Sequence, residues 1–295
     1  MRILKRSLIL LLLAVVGYAA VSAFFAWRLT SPARRVVGEV PADFPSATET
    51  VTFAARDGLK LSGWFVPCEN ATTAVVLLHG NGSSRRQVMA RVPLFHAAGY
   101  AVLLYDARGH GLSEGDRVSV GWFETADLLG ALDFLHSKGL NRFGCLGISQ
   151  GAATIALAAE RLPAEVDWVV LESCYPTIRD ALDRRFRSYL HLPGWLAGGL
   201  FMPFAELRLG VDLNDLAPIN HIPNLRCPVF ILGGTADQHT LPQSTEALFA
   251  VAKEPKELWL VPGAAHVDLC GFSHPEYAKR ILAFIANVKP SLRNE

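Results

Sequence analysis

Phe143-Gly144-Cys145-Leu146-Gly147-Ile148-Ser149-Gln150-Gly151-Ala152-Ala153 is the stretch on which the fold turns. Its first half is a short apolar run, read as a buried strand. Its second half opens an Ala-rich helical pattern that Pro163 ends. The turn between them, Gly147-Ile148-Ser149-Gln150-Gly151, has the form G-x-S-x-G. Such a turn is too tight for side chains at both flanks, hence the two glycines. It holds the serine hydroxyl out on a strained backbone, beside the N–H groups that open the helix. Ser149 is therefore read as a nucleophile. The alternative is a Gly-flanked turn with a purely structural serine.

Outward from this point the chain alternates strand and helix. Strands are expected at 50–55, 60–66, 74–78, 101–105, 143–147, 168–171, 229–232 and 258–261, the first two joined by the turn dipeptide Asp57-Gly58. The later runs are continuously apolar, as strands buried on both faces are. Helical patterns fall at 122–136, 151–161, 242–252 and 275–288. The fold class is α/β: an eight-stranded, mostly parallel sheet with helices on both faces. From 176 to 224 no strand appears. This interval holds Trp195, Leu196, Leu200, Phe201, Met202 and Phe204, too apolar for a disordered loop. It is read as a helical lid insertion, with Phe201 and Phe204 as substrate-binding residues for an acyl chain. The alternative is a pair of packing helices.

A nucleophilic serine needs a base, and the base an orienting acid. Asp237 ends the stretch Gly233-Gly234-Thr235-Ala236-Asp237 and His266 ends Pro262-Gly263-Ala264-Ala265-His266. Both follow apolar strands, so both lie on loops at the strand ends where Ser149 sits. The rival acid is Glu172, and the rival bases are His239 and His274. The backbone N–H groups of Gln150, after the nucleophile, and of Asn81, in His79-Gly80-Asn81-Gly82 after the third strand, are the candidate oxyanion hole. Gly80-x-Gly82 also invites a dinucleotide reading with Asp106 as the ribose acid. Arg85 stands where that motif needs a third glycine, which argues against it.

Together, His79-Gly80-Asn81-Gly82, Asp106-Ala107-Arg108-Gly109-His110-Gly111, Gly147-x-Ser149-x-Gly151, Asp237 and His266 resemble the α/β-hydrolase superfamily, most nearly the membrane-anchored serine hydrolases of the α/β-hydrolase-domain type. The resemblance runs from about Thr50 to the C-terminus. It implies a catalytic triad Ser149, Asp237, His266 that cleaves a carboxylic ester or thioester without a cofactor or metal. Amide cleavage by the same triad and a non-catalytic, membrane-tethered binding protein are the alternatives. One departure is Gln238-His239 after Asp237, where the family often has Val-Pro; it leaves the neighbouring pocket wall open.

The N-terminus is a different object. Between Arg6 and Arg28 no charge interrupts about 21 residues. As a helix that run spans about 30 Å, the thickness of a bilayer core. Residues 1–30 are read as a membrane anchor, with a signal segment cut near Val21-Ser22-Ala23 or a buried core helix as alternatives. The short basic N-terminal tail favours a catalytic domain outside the cytoplasm. Residues 31–47, with Pro32, Pro41 and Pro45, are read as a linker, and 48–295 as the hydrolase domain. On this reading the domain stands without residues 1–35. Composition excludes other classes. Hydrophobic residues make up 51% and charged ones 19%, which excludes a disordered chain. A net charge of +1 argues against a nucleic-acid partner. Five Cys with no close pairing give neither a disulfide scaffold nor a zinc site. The partners expected are a small acyl substrate and the membrane.

Overall fold

The computed structural model describes residues 2–190 and 194–288; of residues 189, 190, 194–198 and 200 it describes the backbone only. Leu192 and Pro193, and the side chains of Trp195, Leu196 and Leu200, thus lie outside the described residues.

All eight expected strands form one sheet. They are β1 (Glu49–Ala54), β2 (Lys60–Val66), β3 (Thr73–Leu78), β4 (Ala101–Tyr105), β5 (Arg142–Ile148), β6 (Val166–Glu172), β7 (Val229–Gly234) and β8 (Lys256–Val261). Their order across the sheet is β1-β2-β4-β3-β5-β6-β7-β8. β2 pairs antiparallel with both β1 and β4, and every later pairing is parallel. The helices are α1 (Arg2–Leu29), α2 (Val92–Ala97), α3 (Glu124–Ser137), α4 (Gln150–Leu157), α5 (Ile178–Leu190), α6 (Gly194–Leu209), α7 (Pro218–His221), α8 (Pro242–Val251), α9 (Leu269–Phe272) and α10 (His274–Asn287).

Two apolar clusters cover the two faces of the sheet. Along β3, Ala74, Val76 and Leu78 join the cluster with α3 and α4, while Val75 and Leu77 join the one with α2 and α10. This strict alternation is the period-2 pleat, and its burial on both faces explains the continuous apolar runs. The chain reverses its winding between β3 and β5. In open α/β sheets the ligand crevice lies outside the carboxyl ends of the strands at such a point.

The insertion after β6 is helical, consisting of α5, α6 and α7 with short tight turns. α1 does not stand apart from it. Residues 2–17 are exposed on every side, but Ser22 and Ala26 are buried where the helix packs along α6. A Cβ on Gly199 would lie 3.1 Å from the Tyr18 hydroxyl, so the two helices approach closely there. By length and composition, with a mean hydropathy of 2.6, α1 is apolar enough to cross a membrane.

Residues 31–47, expected as a linker, lie on the domain. Ala33 N–H donates to Gly109 O at 2.9 Å. Arg34 donates to Ser113 O at 2.6 Å, and Arg35 Nε to Gly82 O at 2.5 Å. Val37 and Phe44 are buried in the α2/α10 cluster. The three prolines suppress helix and strand here, but they do not stop the segment from packing.

Candidate active site

β5 delivers Ser149 and α4 starts immediately after it. Ser149 has φ 52° and ψ −108°, a conformation an L residue adopts only under constraint. The constraint is visible. Ser149 N–H donates to Glu172 O at 2.8 Å, and its own carbonyl accepts from Ala153 N–H at 2.9 Å. A Cβ on Gly151 would fall 2.5 Å from Leu78 O, and one on Gly147 would overlap the Gly151 backbone. Both glycines are thus required by close backbone approach. The turn holds Ser149 half-exposed above an otherwise buried helix start.

His266 and Asp237 come together from the loops after β8 and β7. Those loops are tied to each other: Ala236 N–H donates to Ala264 O at 2.8 Å, and Gly263 N–H to Thr235 Oγ1 at 2.7 Å. His266 Nδ1 lies 2.7 Å from Asp237 Oδ2. A carboxylate only accepts, so Nδ1 donates to it, and Nε2 is the ring nitrogen left for other partners. Asp237 Oδ1 accepts from the N–H groups of His239 and Thr240, both at 2.8 Å. Burial pushes the Asp237 carboxyl up, but His266 and these backbone donors outweigh it and hold the group below the usual carboxylate range. No hydrogen bond joins Ser149 to His266 among the described residues; in such sites this bond is often long until substrate arrives.

The rivals are placed elsewhere. Glu172 is fully buried and held by Arg91 Nη2 at 2.6 Å and Nε at 3.0 Å, with the Tyr277 hydroxyl on the same carboxylate. It therefore has no histidine to orient. The His239 ring packs edge-on against His266 with centroids 5.3 Å apart. Burial, then the His266 charge, lowers its pKa, which favours a neutral neighbour.

Asn81 and Gln150 flank the nucleophile. Their backbone N–H groups take no partner among the described residues, whereas Gly80 N–H goes to Gln87 at 2.7 Å and Gly82 N–H to His110 at 3.0 Å. Two buried histidines fix this loop. His79 donates through Nδ1 to Gly80 O at 2.8 Å and accepts from Ala107 N–H at 3.0 Å. Burial, then the neighbouring His110, lowers the His79 pKa to about 4, so it stays neutral and keeps both bonds. Asp106 is taken by buried Arg85 at 2.7 Å, which leaves it unavailable to a ribose.

Ser149 and Asn81 open on a narrow apolar cavity of about 50 Å³. Its walls include Val120, Tyr175, Phe201 and Leu209, and also Leu29 and Thr30 from the end of α1. Phe201 thus lines the same cavity as Ser149. Phe204 lines a separate groove, with Trp27 and Leu207. On a helix residues three apart share a face only loosely, so the apolar composition that suggested both could not separate them. Val120 is a β-branched residue with φ 59°. The Glu124 carboxylate holds the turn by accepting from Ser119 and Gly121 N–H, and Tyr175 donates to Val120 O at 2.7 Å. No sequence pattern marks Val120 or the α1 end as cavity wall; both are brought there by tertiary packing. Among the described residues, no three His, Cys, Asp or Glu side chains gather as metal ligands would.

Residues 69–215 match the family model described as serine aminopeptidase, S33. Over 281 residues the chain is 31% identical to the uncharacterized protein YfhR of Salmonella typhi, covering 90% of this chain and 89% of that one. A solved structure of a Pyrococcus furiosus esterase superposes with a TM-score of 0.73 at 26% identity, covering 88% of this chain and 98% of the esterase. An uncharacterized membrane protein of Saccharomyces cerevisiae is 29% identical over 138 residues, covering 45% of this chain and 48% of that one.

Proposed function

Since this chain belongs to the α/β-hydrolase superfamily, we propose that it is a serine hydrolase that cleaves a carboxylic ester or thioester through an acyl-enzyme. One observation carries the reading: a strained, half-exposed Ser149 at an apolar cavity, within a loop cluster that also holds the His266–Asp237 pair. Ser149 Oγ attacks the substrate carbonyl and His266 Nε2 takes its proton. The negative oxygen then formed accepts from the Asn81 and Gln150 N–H groups, which have no other partner among the described residues. Collapse breaks the C–O or C–S bond, and His266 returns its proton to the leaving group. Water repeats the sequence on the acyl-enzyme and releases the acid. Asp237 keeps Nδ1 protonated throughout and stabilises the imidazolium.

The same triad serves amide cleavage. The cavity wall favours an ester over a peptide with a free amino terminus, because Arg185 lies in it and would repel an ammonium. The chain is further read as an uncleaved membrane protein with its domain outside the cytoplasm. Cleavage near Ser22 would strip the part of α1 that buries Ser22 and covers α6.

The test is labelling of the full chain with a fluorophosphonate, beside turnover of aryl esters of increasing acyl length and one peptide amide. Ser149→Ala is expected to lose labelling and at least ~10³-fold in turnover. A variant near the wild-type rate would remove Ser149 from the mechanism and with it this reading.

A further inference from the structure

Beside the apolar cavity lies a second, open one of about 1150 Å³. Its lining includes Arg28, Arg34, Arg35 and Arg185, and no acidic side chain. None of the four arginines pairs with a carboxylate among the described residues. Arg28 and Arg185 make no hydrogen bond there at all. Arg35 uses Nε on Gly82 O, which leaves its two terminal nitrogens without a protein partner. Arg34 already donates to Ser113 O and Gly115 O and so adds charge, while Arg28, Arg35 and Arg185 keep N–H groups open to an anion, which the four like charges would attract. The buried arginines are different: Arg85, Arg91 and Arg108 each hold a carboxylate.

The two cavities are adjacent and share a wall. Leu29, Asn81 and Arg185 line both. Asn81 is also the candidate oxyanion donor, so the scissile carbonyl lies at the junction. A molecule reaching from one cavity to the other has an apolar chain, then an ester, then an anion. Guanidinium groups match the tetrahedral oxygens of phosphate in a fork geometry.

The membrane fixes where that anion comes from. A bilayer core needs about 20 helical residues. Residues 2–17 of α1 are exposed on every side, and from Tyr18 to Leu29 one side of the helix runs beside α6. For α1 to span, this last part of the helix must also enter the apolar layer, and α6 must go with it to the membrane face. Leu207 of α6, Phe24 and Trp27 are exposed as lipid-facing groups would be. Trp27 and Arg28 then sit at headgroup level, where lipid phosphates are.

We propose that Arg28, Arg34, Arg35 and Arg185 form a phosphate subsite, and that the substrate is an anionic phospholipid acyl ester that enters from the bilayer. The inference rests on the esterase reading above and deepens it.

The experiment uses the full chain in neutral detergent micelles. It compares kcat/KM for 1-palmitoyl lysophosphatidylglycerol with that for 1-palmitoylglycerol, which has the same acyl ester and no charge. The wild type is expected to prefer the anionic ester about tenfold or more, and added salt should shrink the preference. Arg28→Gln and Arg185→Gln should each reduce the ratio about fivefold, with partial rescue by Arg185→Lys. Inorganic phosphate at millimolar levels should leave the ratio unchanged. A wild type indifferent to the phosphate group overturns the proposal, as do variants that lose both substrates equally. Strong inhibition by inorganic phosphate assigns the subsite to free phosphate and overturns the lipid source. If neither ester is turned over and fluorophosphonate fails to label Ser149, the esterase reading itself fails, an outcome distinct from turnover without charge preference.

Discussion

Ser149, Asp237 and Glu172 show how far single residues were legible. Asp237 is buried, bonded to His266 and to two backbone N–H groups; Glu172 is buried and bonded to Arg91 and Tyr277. From sequence both end an apolar strand, so spacing alone could not rank them with certainty. The deciding fact is the partner, and partners come from different elements. Asp237→Asn is expected to cost roughly 10³–10⁴-fold in kcat on an aryl ester, because the histidine loses the group that fixes its tautomer. Glu172→Gln is expected to leave kcat within a few-fold and instead to lower Tm. It leaves buried Arg91 with Asp268, 2.8 Å away, as its remaining carboxylate among the described residues, a defect worth up to about 3 kcal/mol. The reverse pattern, measured by steady-state kinetics and thermal melts, would move the acid to Glu172. Asp237 also has a pH signature. Its folded form is held below the ordinary carboxylate range, so the unfolded chain binds its proton first as pH falls. The stability it contributes is fully present above the unfolded value of about 3.9 and is lost as pH drops through the folded one. The Tm difference between wild type and Asp237→Asn should therefore narrow in acid.

At the scale of elements, the strand–turn–helix at Ser149 and all eight strands could be read from apolar runs, because each is fixed by local sequence and burial on both faces. The insertion between β6 and β7 was legible as helical and apolar, but not as to which side chains face the site. That depends on how α5, α6 and α1 pack together, and α6 is apolar around much of its surface. Phe201 lines the cavity with Ser149, while Phe204 faces the groove near Trp27. Phe201→Ala is thus expected to weaken kcat/KM roughly tenfold more for long acyl esters than for acetate, since each lost methylene contact is worth ~0.8 kcal/mol. Phe204→Ala should lower all chain lengths alike, or only Tm. Assay of both variants across an acyl series separates the roles; equal behaviour of the two would mean that neither side chain grips the acyl chain.

For the whole molecule, sequence puts a natural cut at Arg35, after the apolar run and its prolines. The structure puts it at Gly17, where α1 stops being exposed on all sides. Hydropathy cannot tell a helix side that meets lipid from one that meets α6, because both are apolar. Removal of residues 1–17 is expected to preserve Tm and aryl-acetate turnover. Removal of residues 1–35 takes away Ser22, Ala26, Leu29 and Thr30, baring α6 and one wall of the cavity, and should lower Tm and flatten the acyl-length profile. Equal stability and selectivity of the two truncations would show that α1 only tethers. A cavity walled by its own tether has a kinetic meaning as well. Were α1 to span a bilayer and the substrate to be the lipid proposed above, enzyme and substrate would meet by lateral diffusion in a plane, and the concentration that governs the rate would be a mole fraction, not a molarity. Reconstituted into vesicles, the enzyme should slow when inert lipid dilutes the substrate within its own bilayer, and should be indifferent to how much water surrounds them.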